Sequence, residues 1–260
     1  LIFQERKKER ITQVMDHLGV ASHQISFVEH HLAHLAAAYY TAHNLDYQVP
    51  TLGLTCDGAG DGLSATVSIC TGNKIQRIAV TDRHASLGKI YSRVTFLLGL
   101  TPWEHEYKVM GLAPYAEPNL IQSKLKILQN LLRVRSDGLG FELSTQLSTN
   151  YCYEYLRDEF ERTRFDVIAG TVQAFTEQMM VEWVKAVIKS TGIRRLVCGG
   201  GVFMNVKANM LIAEIEEVDY LHIMPTASDE SLSIGAALYR YFEKSGNTNY
   251  RVGHLKNLYL

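Results

Sequence analysis

Three histidines stand within five positions of an otherwise apolar stretch, VEHHLAHLAAAYY at 28–40. Residues four apart lie on one face of a helix, so His30 and His34 can bind a single ion. Two imidazoles at this spacing suit zinc or ferrous iron, but they need carboxylates from elsewhere in the chain. His31 points roughly 100° away from His30. The alternative is a hydrogen-bonded pair of core or interface histidines, and the spacing alone does not exclude it.

A glycine-rich segment with two aspartates, CDGAGDGLSAT at 56–66, could hold a phosphate and a cation. A strand is predicted to end at Asp57, and Gly58, Gly60 and Gly62 follow it. Glycines let backbone amides approach an anion closely, and Asp57 could bind a cation beside that anion. The alternative is a plain hairpin turn, because Asp-Gly is a frequent turn dipeptide.

The segment VCGGGVFMN at 197–205 predicts a buried strand that runs through Gly199, Gly200 and Gly201 into a helix. Free N–H groups at the start of that helix would face a cleft, and Asn205 could bind a ribose or a base. Consecutive glycines are not the dinucleotide fingerprint, and no Gly-Lys-Ser/Thr follows as in a Walker loop. The alternative is a tight strand-to-helix connection.

The segment MPTASDESLSIGAALYRYF at 224–242 places Asp229 between a predicted strand and a predicted helix. An aspartate there can cap the helix or complement its dipole. Because α/β folds bind ligands at the carboxyl ends of strands, Asp229 is also a candidate ligand.

Composition sets the class of protein. The chain has 260 residues, 47% hydrophobic and 20% charged, with a formal net charge of -1. This length suits one large domain or two lobes that share a cleft. A near-neutral chain has no long-range field that favours nucleic acid or an anionic membrane, and no apolar run is long enough to span a bilayer.

The four cysteines indicate reduced, buried thiols in a cytoplasmic protein. None forms a C-x-x-C pair, which argues against a disulfide scaffold or a thiolate zinc site. They are Cys56, Cys70, Cys152 and Cys198.

Periodicity predicts an α/β chain. Its last third alternates strand and helix, which is typical of parallel strands with crossover helices. The chain begins at Leu1 with a charged amphipathic helix, so we expect an excerpt of a longer protein. The predicted elements are a helix at 1–19, a strand at 25–28, a helix to about 42, a β-meander at 51–82, helices within 87–117, at 119–133 and at 167–189, and then strand, helix, strand and helix from 195 to 242.

Six ordered motifs together resemble O-carbamoyltransferases of the NodU/CmcH type, from about Phe27 onward. More distantly, the chain resembles the transferase subunit that makes threonylcarbamoyladenosine in tRNA. Both groups share a two-lobed actin/Hsp70/sugar-kinase-like fold. The motifs are HHLAH, CDGAGDGLSAT, SLGKIYSRVTFLLGLTP, EYKVMGLAPYA, GGGVFMN and PTASDESLSIGAAL.

The resemblance implies two sets of site residues. A divalent metal, iron first and zinc as the alternative, would be bound by His30, His34, Asp57 and Asp229. ATP or carbamoyl adenylate would be bound by the two glycine segments and the EYKVMGLAPYA motif, in which Ala116 departs from the usual glycine. The implied nucleotide-binding residues are Gly58, Gly60, Lys108, Gly111, Gly199, Gly200, Gly201 and Asn205.

The implied reaction forms carbamoyl adenylate from carbamoyl phosphate and ATP, then transfers the carbamoyl group to a hydroxyl of a sugar or other small molecule. The sequence indicates no general base. The resemblance also implies lobes at 1–48, a remnant that includes the metal-binding helix, and 49–260, whose final helix packs back toward the first. The family's YrdC-like domain lies outside this chain, so we expect the chain alone not to complete the reaction.

Two other functions stay open at this point. One is a threonylcarbamoyladenosine-type transferase that acts on tRNA, which the near-neutral charge and the lack of basic–aromatic clusters disfavour. The other is a nucleotide-binding regulatory module without catalysis. The sequence leaves the oligomeric state open, with a homodimer as one arrangement.

Overall fold

A five-stranded mixed sheet forms the centre of the computed structural model, which describes residues 2–245 and the side chains from residue 5 onward. The strand order is β3-β2-β1-β6-β7, and β4 pairs with β5 in a separate hairpin. The first three strands are antiparallel, whereas β6 runs parallel to both β1 and β7. The strands are Thr51–Gly60 (β1), Leu63–Thr71 (β2), Lys74–Asp82 (β3), Leu132–Val134 (β4), Phe141–Leu143 (β5), Arg195–Gly199 (β6) and Tyr220–Ile223 (β7).

Nine helices are described around this sheet within residues 2–245. Helix α2 packs on β1 and β6, and α9 packs on α2; α3 packs on β1 and on the long helix α7. The helices are Ile2–Leu18 (α1), His30–Tyr40 (α2), Leu87–Leu97 (α3), Glu106–Leu112 (α4), Pro118–Gln129 (α5), Tyr153–Glu159 (α6), Phe165–Thr191 (α7), Val206–Ala213 (α8) and Ser231–Ser245 (α9).

One hydrophobic core joins the helices to the sheet. It contains Leu35 of α2, Leu52 of β1, Trp183 of α7 and Phe242 of α9, all nearly inaccessible to solvent. Burial of side chains of this size is the main favourable term in folding, about 1.5–3 kcal/mol each. Helix α2 and strand β1, on either side of the predicted boundary at residue 48, therefore share one core. The two-lobe division stays a prediction, and residues 246–260 lie outside the described residues.

Most predicted elements are confirmed, and the β-meander and the parallel strands of the last third are present. The predicted strand at 25–28 is wrong: this segment pairs with no strand of the described chain, and Phe27 is exposed. Helix α8 is shorter than predicted, because a 3₁₀ turn at Gly201–Met204 precedes it.

Strand β1 was predicted to end at Asp57, but it continues to Gly60. The turn to β2 consists of Asp61 and Gly62, both with positive φ (48° and 87°). Two positive φ values identify a type I′ turn, so this part of the glycine segment is the plain hairpin turn. A register shift between Cys56 and Gly60 lies just before it.

Two further observations concern the cysteines and the character of the helices. All four cysteines are buried and unpaired, as predicted. Along the described residues, none of the helices combines the length and the apolar character that crossing a membrane would need.

Candidate metal and nucleotide site

The N-terminus of α2 is fixed by acidic side chains on either side of His30. The Glu29 carboxylate accepts hydrogen bonds from the N–H groups of His31 (3.1 Å) and Leu32 (2.8 Å), so it caps the helix. It also forms an ion pair with Arg77 of β3. Asp61 of the hairpin turn accepts the His30 N–H at 2.9 Å. These bonds hold the first helical turn, and hence His30, against the sheet.

On α2, the Nε2 atom of His30 faces the Nε2 atom of His34, and the two nitrogens lie 3.1 Å apart. The ring of His34 is fully buried, and its Nδ1 lies 2.9 Å from the Ser231 hydroxyl of α9. The ring of His30 lies over Gly60, where a Cβ would overlap the imidazole. Both Nε2 atoms are therefore presented to one point.

Two aspartates reach the same point from other parts of the chain. Asp57 Oδ2 lies 2.9 Å from His30 Nε2 and 3.8 Å from His34 Nε2. Asp229 Oδ1 lies 3.6 Å and 3.5 Å from the same two nitrogens. One ligand atom from each of these residues, which we call the His–Asp cluster, lies within 4.8 Å of all the others.

The His–Asp cluster fits the donor set of a divalent metal. Metal–ligand distances of roughly 2.1 Å place neighbouring donors about 3.0–3.4 Å apart in octahedral or tetrahedral geometry. The separations of 2.9, 3.1, 3.5, 3.6 and 3.8 Å bracket this range. Two imidazoles with two carboxylates suit iron or zinc, as the resemblance implies.

Electrostatics in the cluster favour an ionised Asp57. Burial raises its pKa, but the hydrogen bond to His30 and the nearby ring of His34 together outweigh burial and hold the pKa well below its ordinary value. Burial likewise opposes a proton on His30, yet the hydrogen bond to Asp57 and the negative charges of Asp57, Asp229 and Asp61 together outweigh it and raise the pKa of His30. An ionised Asp57 is ready to bind a cation, whereas a metal that binds His30 must displace the proton that the raised pKa favours on its ring.

His31 belongs to a different network. Its Nδ1 lies 2.8 Å from the Thr55 hydroxyl, which in turn lies 2.6 Å from that of Thr66. The ring is fully buried, and burial lowers its pKa. His31 is therefore a hydrogen-bonded core histidine and lies outside the His–Asp cluster.

A cavity of about 540 Å³ opens beside the cluster, and this volume is typical of sites for small molecules. Asp57 and Asp229 belong to its wall, together with Gly58, Gly201 and Asn205. Of the predicted nucleotide-binding residues, these three are the ones that line it.

The remaining predicted nucleotide-binding residues do not line this cavity. Gly60 packs under His30, and Gly199 packs against the carbonyl of His34. Lys108 and Gly111 are exposed residues of α4, although Glu106 and Tyr107 of the same helix do line the cavity.

Two of the three consecutive glycines, Gly200 and Gly201, do not present free N–H groups as predicted. The Gly200 N–H donates to the Ala227 carbonyl at 2.8 Å, and the Gly201 N–H donates to Asp57 Oδ1 at 3.2 Å. The Gly201 donor therefore orients Asp57, and the donors of Gly200 and Gly201 are already used within the protein.

Asn205 is bound within the protein as well. It caps α8 by accepting the Ala208 N–H at 3.1 Å. Its amide also pairs with that of Gln173, with bonds of 2.9 and 3.0 Å in the two directions. Tyr91 donates to the same Gln173 at 2.9 Å. This network links α3, α7 and the start of α8 along the cavity wall.

Sequence reasoning missed Lys89 and Trp103, which both line the cavity. Lys89 lies in the first turn of α3 behind the N-cap Ser86, and its ammonium lies 5.1 Å from the centroid of the Trp103 ring. Burial and nearby Arg93 lower the pKa of this lysine, whereas Asp57 raises it. A cation in the first turn of a helix is disfavoured by the helix dipole. This unfavourable position of Lys89 is the feature of the sequence that could have indicated a functional role.

Comparison with known proteins identifies the family. Residues 3–238 match the family described as Carbamoyltransferase N-terminus. The chain belongs to this family.

Relatives of this carbamoyltransferase-family chain include longer proteins. An uncharacterized protein of Methanocaldococcus jannaschii is 31% identical over 233 residues, which cover 84% of the chain and 38% of the relative. Nodulation protein NolNO of Sinorhizobium fredii is 29% identical over 221 residues, which cover 83% of the chain and 31% of the relative. The chain thus spans less than half the length of either.

Among solved structures, the chain is similar to full-length HypF in a phosphate- and nucleotide-bound form. The TM-score is 0.48 at 16% identity, with 84% of this chain and 43% of HypF covered.

Proposed function

We propose that this chain is the part of an O-carbamoyltransferase that transfers a carbamoyl group from carbamoyl adenylate to a hydroxyl of a sugar or other small molecule. The family supports carbamoyl transfer in general. The observation that carries the specific proposal is the His–Asp cluster, which assembles from α2, β1 and the loop before α9 at the edge of a cavity. We further propose that this sheet and its helices belong to a two-lobed actin-like fold.

His30, His34, Asp57 and Asp229 would hold a divalent ion, iron or zinc. When bound, this ion would supply Lewis acidity toward a carbonyl oxygen. The Gly201 N–H donates to Asp57 and so helps to fix the orientation of its carboxylate. Ser231 fixes the ring of His34.

In the proposed reaction the acceptor hydroxyl oxygen bonds to the carbamoyl carbon. The bond from that carbon to the phosphate oxygen breaks, AMP leaves, and the hydroxyl proton passes to solvent. The role of the cavity is to hold the adenylate and the acceptor in contact and to limit competing hydrolysis.

The charges of the cavity favour a small acceptor over tRNA. Asp57 and Asp229 line it together with Glu104, Glu106 and Glu230, whereas Lys89 is the single basic side chain among its described lining residues. A polyanionic acceptor needs several basic contacts to its phosphates, and an acidic mouth repels it.

The test supplies carbamoyl adenylate directly to the metal-loaded chain, with sugars, amino sugars and tRNA as separate acceptors. We expect an O-carbamate on a small-molecule acceptor, detected by mass spectrometry. His30→Ala should abolish the product, whereas His17→Ala, on the exposed helix α1, should retain it. A folded, metal-loaded chain that forms no product with any acceptor would refute the proposal, and a product on tRNA alone would support the alternative transferase.

A further inference from the structure

Lys89 is a basic side chain without an acidic partner in the wall of the cavity. Its ammonium lies over the ring of Trp103, and it forms no ion pair with a carboxylate of residues 5–245. Half-buried cations usually have a paired anion. This ammonium is therefore available to an anion that enters the cavity.

The backbone holds Lys89 beside the His–Asp cluster. Gly88 packs so closely on β1 that a Cβ would lie 2.9 Å from the Gly58 nitrogen and 3.0 Å from the Asp57 carbonyl. A Cβ on Gly58 would in turn lie 3.8 Å from Lys89 Cε and 3.9 Å from its Nζ. The first turn of α3 and the strand that carries Asp57 are thus in direct contact.

Two of the glycine N–H groups that were predicted to bind an anion are already used. The Gly201 N–H donates to Asp57, and the Gly200 N–H donates to Ala227. Every other charged side chain that lines the cavity is an aspartate or a glutamate. A phosphate in this cavity would have Lys89 as its basic side-chain partner.

We propose that Lys89 binds the phosphate group of the substrate, from beside Gly58 and against the indole of Trp103. The assignment rests on the proposed function in so far as the phosphate belongs to a nucleotide or to carbamoyl phosphate. Lys89 thus takes the role of phosphate recognition that the sequence had assigned to the glycine N–H groups and to Lys108, which lies outside the cavity.

The experiment compares ligands that differ by one phosphate group. Adenosine, AMP and inorganic phosphate are titrated calorimetrically into the 260-residue chain, its Lys89→Met variant and its Lys126→Met variant, a matched change on the exposed face of α5. We expect Lys89→Met to weaken AMP and phosphate by about 10-fold or more while adenosine binding stays the same. Lys126→Met should change none of the three, and Lys89→Arg should retain part of the preference for AMP.

The outcomes separate the inference from the proposed function. If the chain binds phosphate through Lys89 but binds neither AMP nor adenosine, the inference stands and the nucleotide part of the proposed function fails. If Lys89→Met preserves the preference for AMP over adenosine, or weakens both ligands equally, the inference is wrong. The same holds if the unaltered chain binds AMP no more tightly than adenosine and does not bind phosphate.

Discussion

At the scale of single residues, the hydroxyl of Ser231 decides which nitrogen His34 can offer to a metal. Both residues are fully buried, and Oγ lies 2.9 Å from Nδ1. A hydroxyl that accepts the Nδ1 hydrogen leaves the Nε2 lone pair facing His30 and the two aspartates. Partners of this kind fix the tautomer and the orientation of a metal-binding histidine.

Ser231→Ala should therefore weaken metal binding by about 10–100-fold, because the ring of His34 loses the group that orients it. Affinity for Co²⁺ or Zn²⁺ can be measured by competition with a chromophoric chelator. Ser233→Ala is the matched control, since Ser233 is exposed on the same helix and bonds to the Glu230 carbonyl. Equal affinities in the two variants would contradict a positioning role for Ser231.

The site residues also show how far sequence reasoning can go. Helical spacing pairs His30 with His34, and their positions after predicted strands make Asp57 and Asp229 candidate ligands. Only the resemblance implied that all four bind one metal. Whether the Gly200 and Gly201 N–H groups are free depends on Ala227 and Asp57, which are distant in sequence. Contacts of this range follow from topology and are not encoded in any local pattern.

At the scale of elements, amphipathic helices and the β-meander were predictable because their periodicity is local. The segment at 25–28 has the composition of a strand, yet strands are stabilised by partners, and its partner would have to come from elsewhere in the fold. The close packing of α9 on α2 could not be predicted from the sequence either. It depends on Gly235, where any Cβ would overlap the carbonyl of Ala33.

The edge strand β7 carries a histidine that should make stability depend on pH. Burial, and the nearby His43, lower the pKa of His222 to about 4. The unfolded chain has the ordinary value near 6.5 and so binds a proton that the native state does not. His222 therefore favours the folded state fully above about pH 6.5, and this contribution is lost as the pH falls toward 4.

His222→Gln removes this titration. Between pH 7 and pH 5 the free energy of unfolding of the unaltered chain should fall by about 1 kcal/mol more than that of the variant, a figure reduced for the solvent that still reaches the ring. Urea denaturation at the two pH values measures the difference. If both proteins lose the same stability, the low pKa of His222 is contradicted.

At the scale of the whole molecule, the His–Asp cluster joins segments that are far apart in sequence. His30 and Asp229 are separated by almost the whole described chain. Helix α2 packs on α9, the helix that follows Asp229, through Tyr40 and Phe242, whose ring centroids lie 4.2 Å apart. Packing of α9 on α2 thus positions the cluster before any ion binds. An ion that bridges these segments would bind the folded state and not the unfolded chain.

Metal should consequently raise the thermal stability of the entire fold. At a free metal concentration about 100 times Kd the gain is about 2.7 kcal/mol, which corresponds to a rise in Tm of roughly 5–10 °C for a chain of this size. Differential scanning calorimetry with and without Zn²⁺, or Fe²⁺ under anaerobic conditions, measures it. Asp229→Asn is a suitable control, because this side chain is 67% exposed. Its loss should leave the metal-free Tm unchanged and should reduce the metal-induced rise in Tm. An equal rise in both proteins would show that the ion binds elsewhere, and the absence of any rise would refute a metal site that links α2 to the loop before α9.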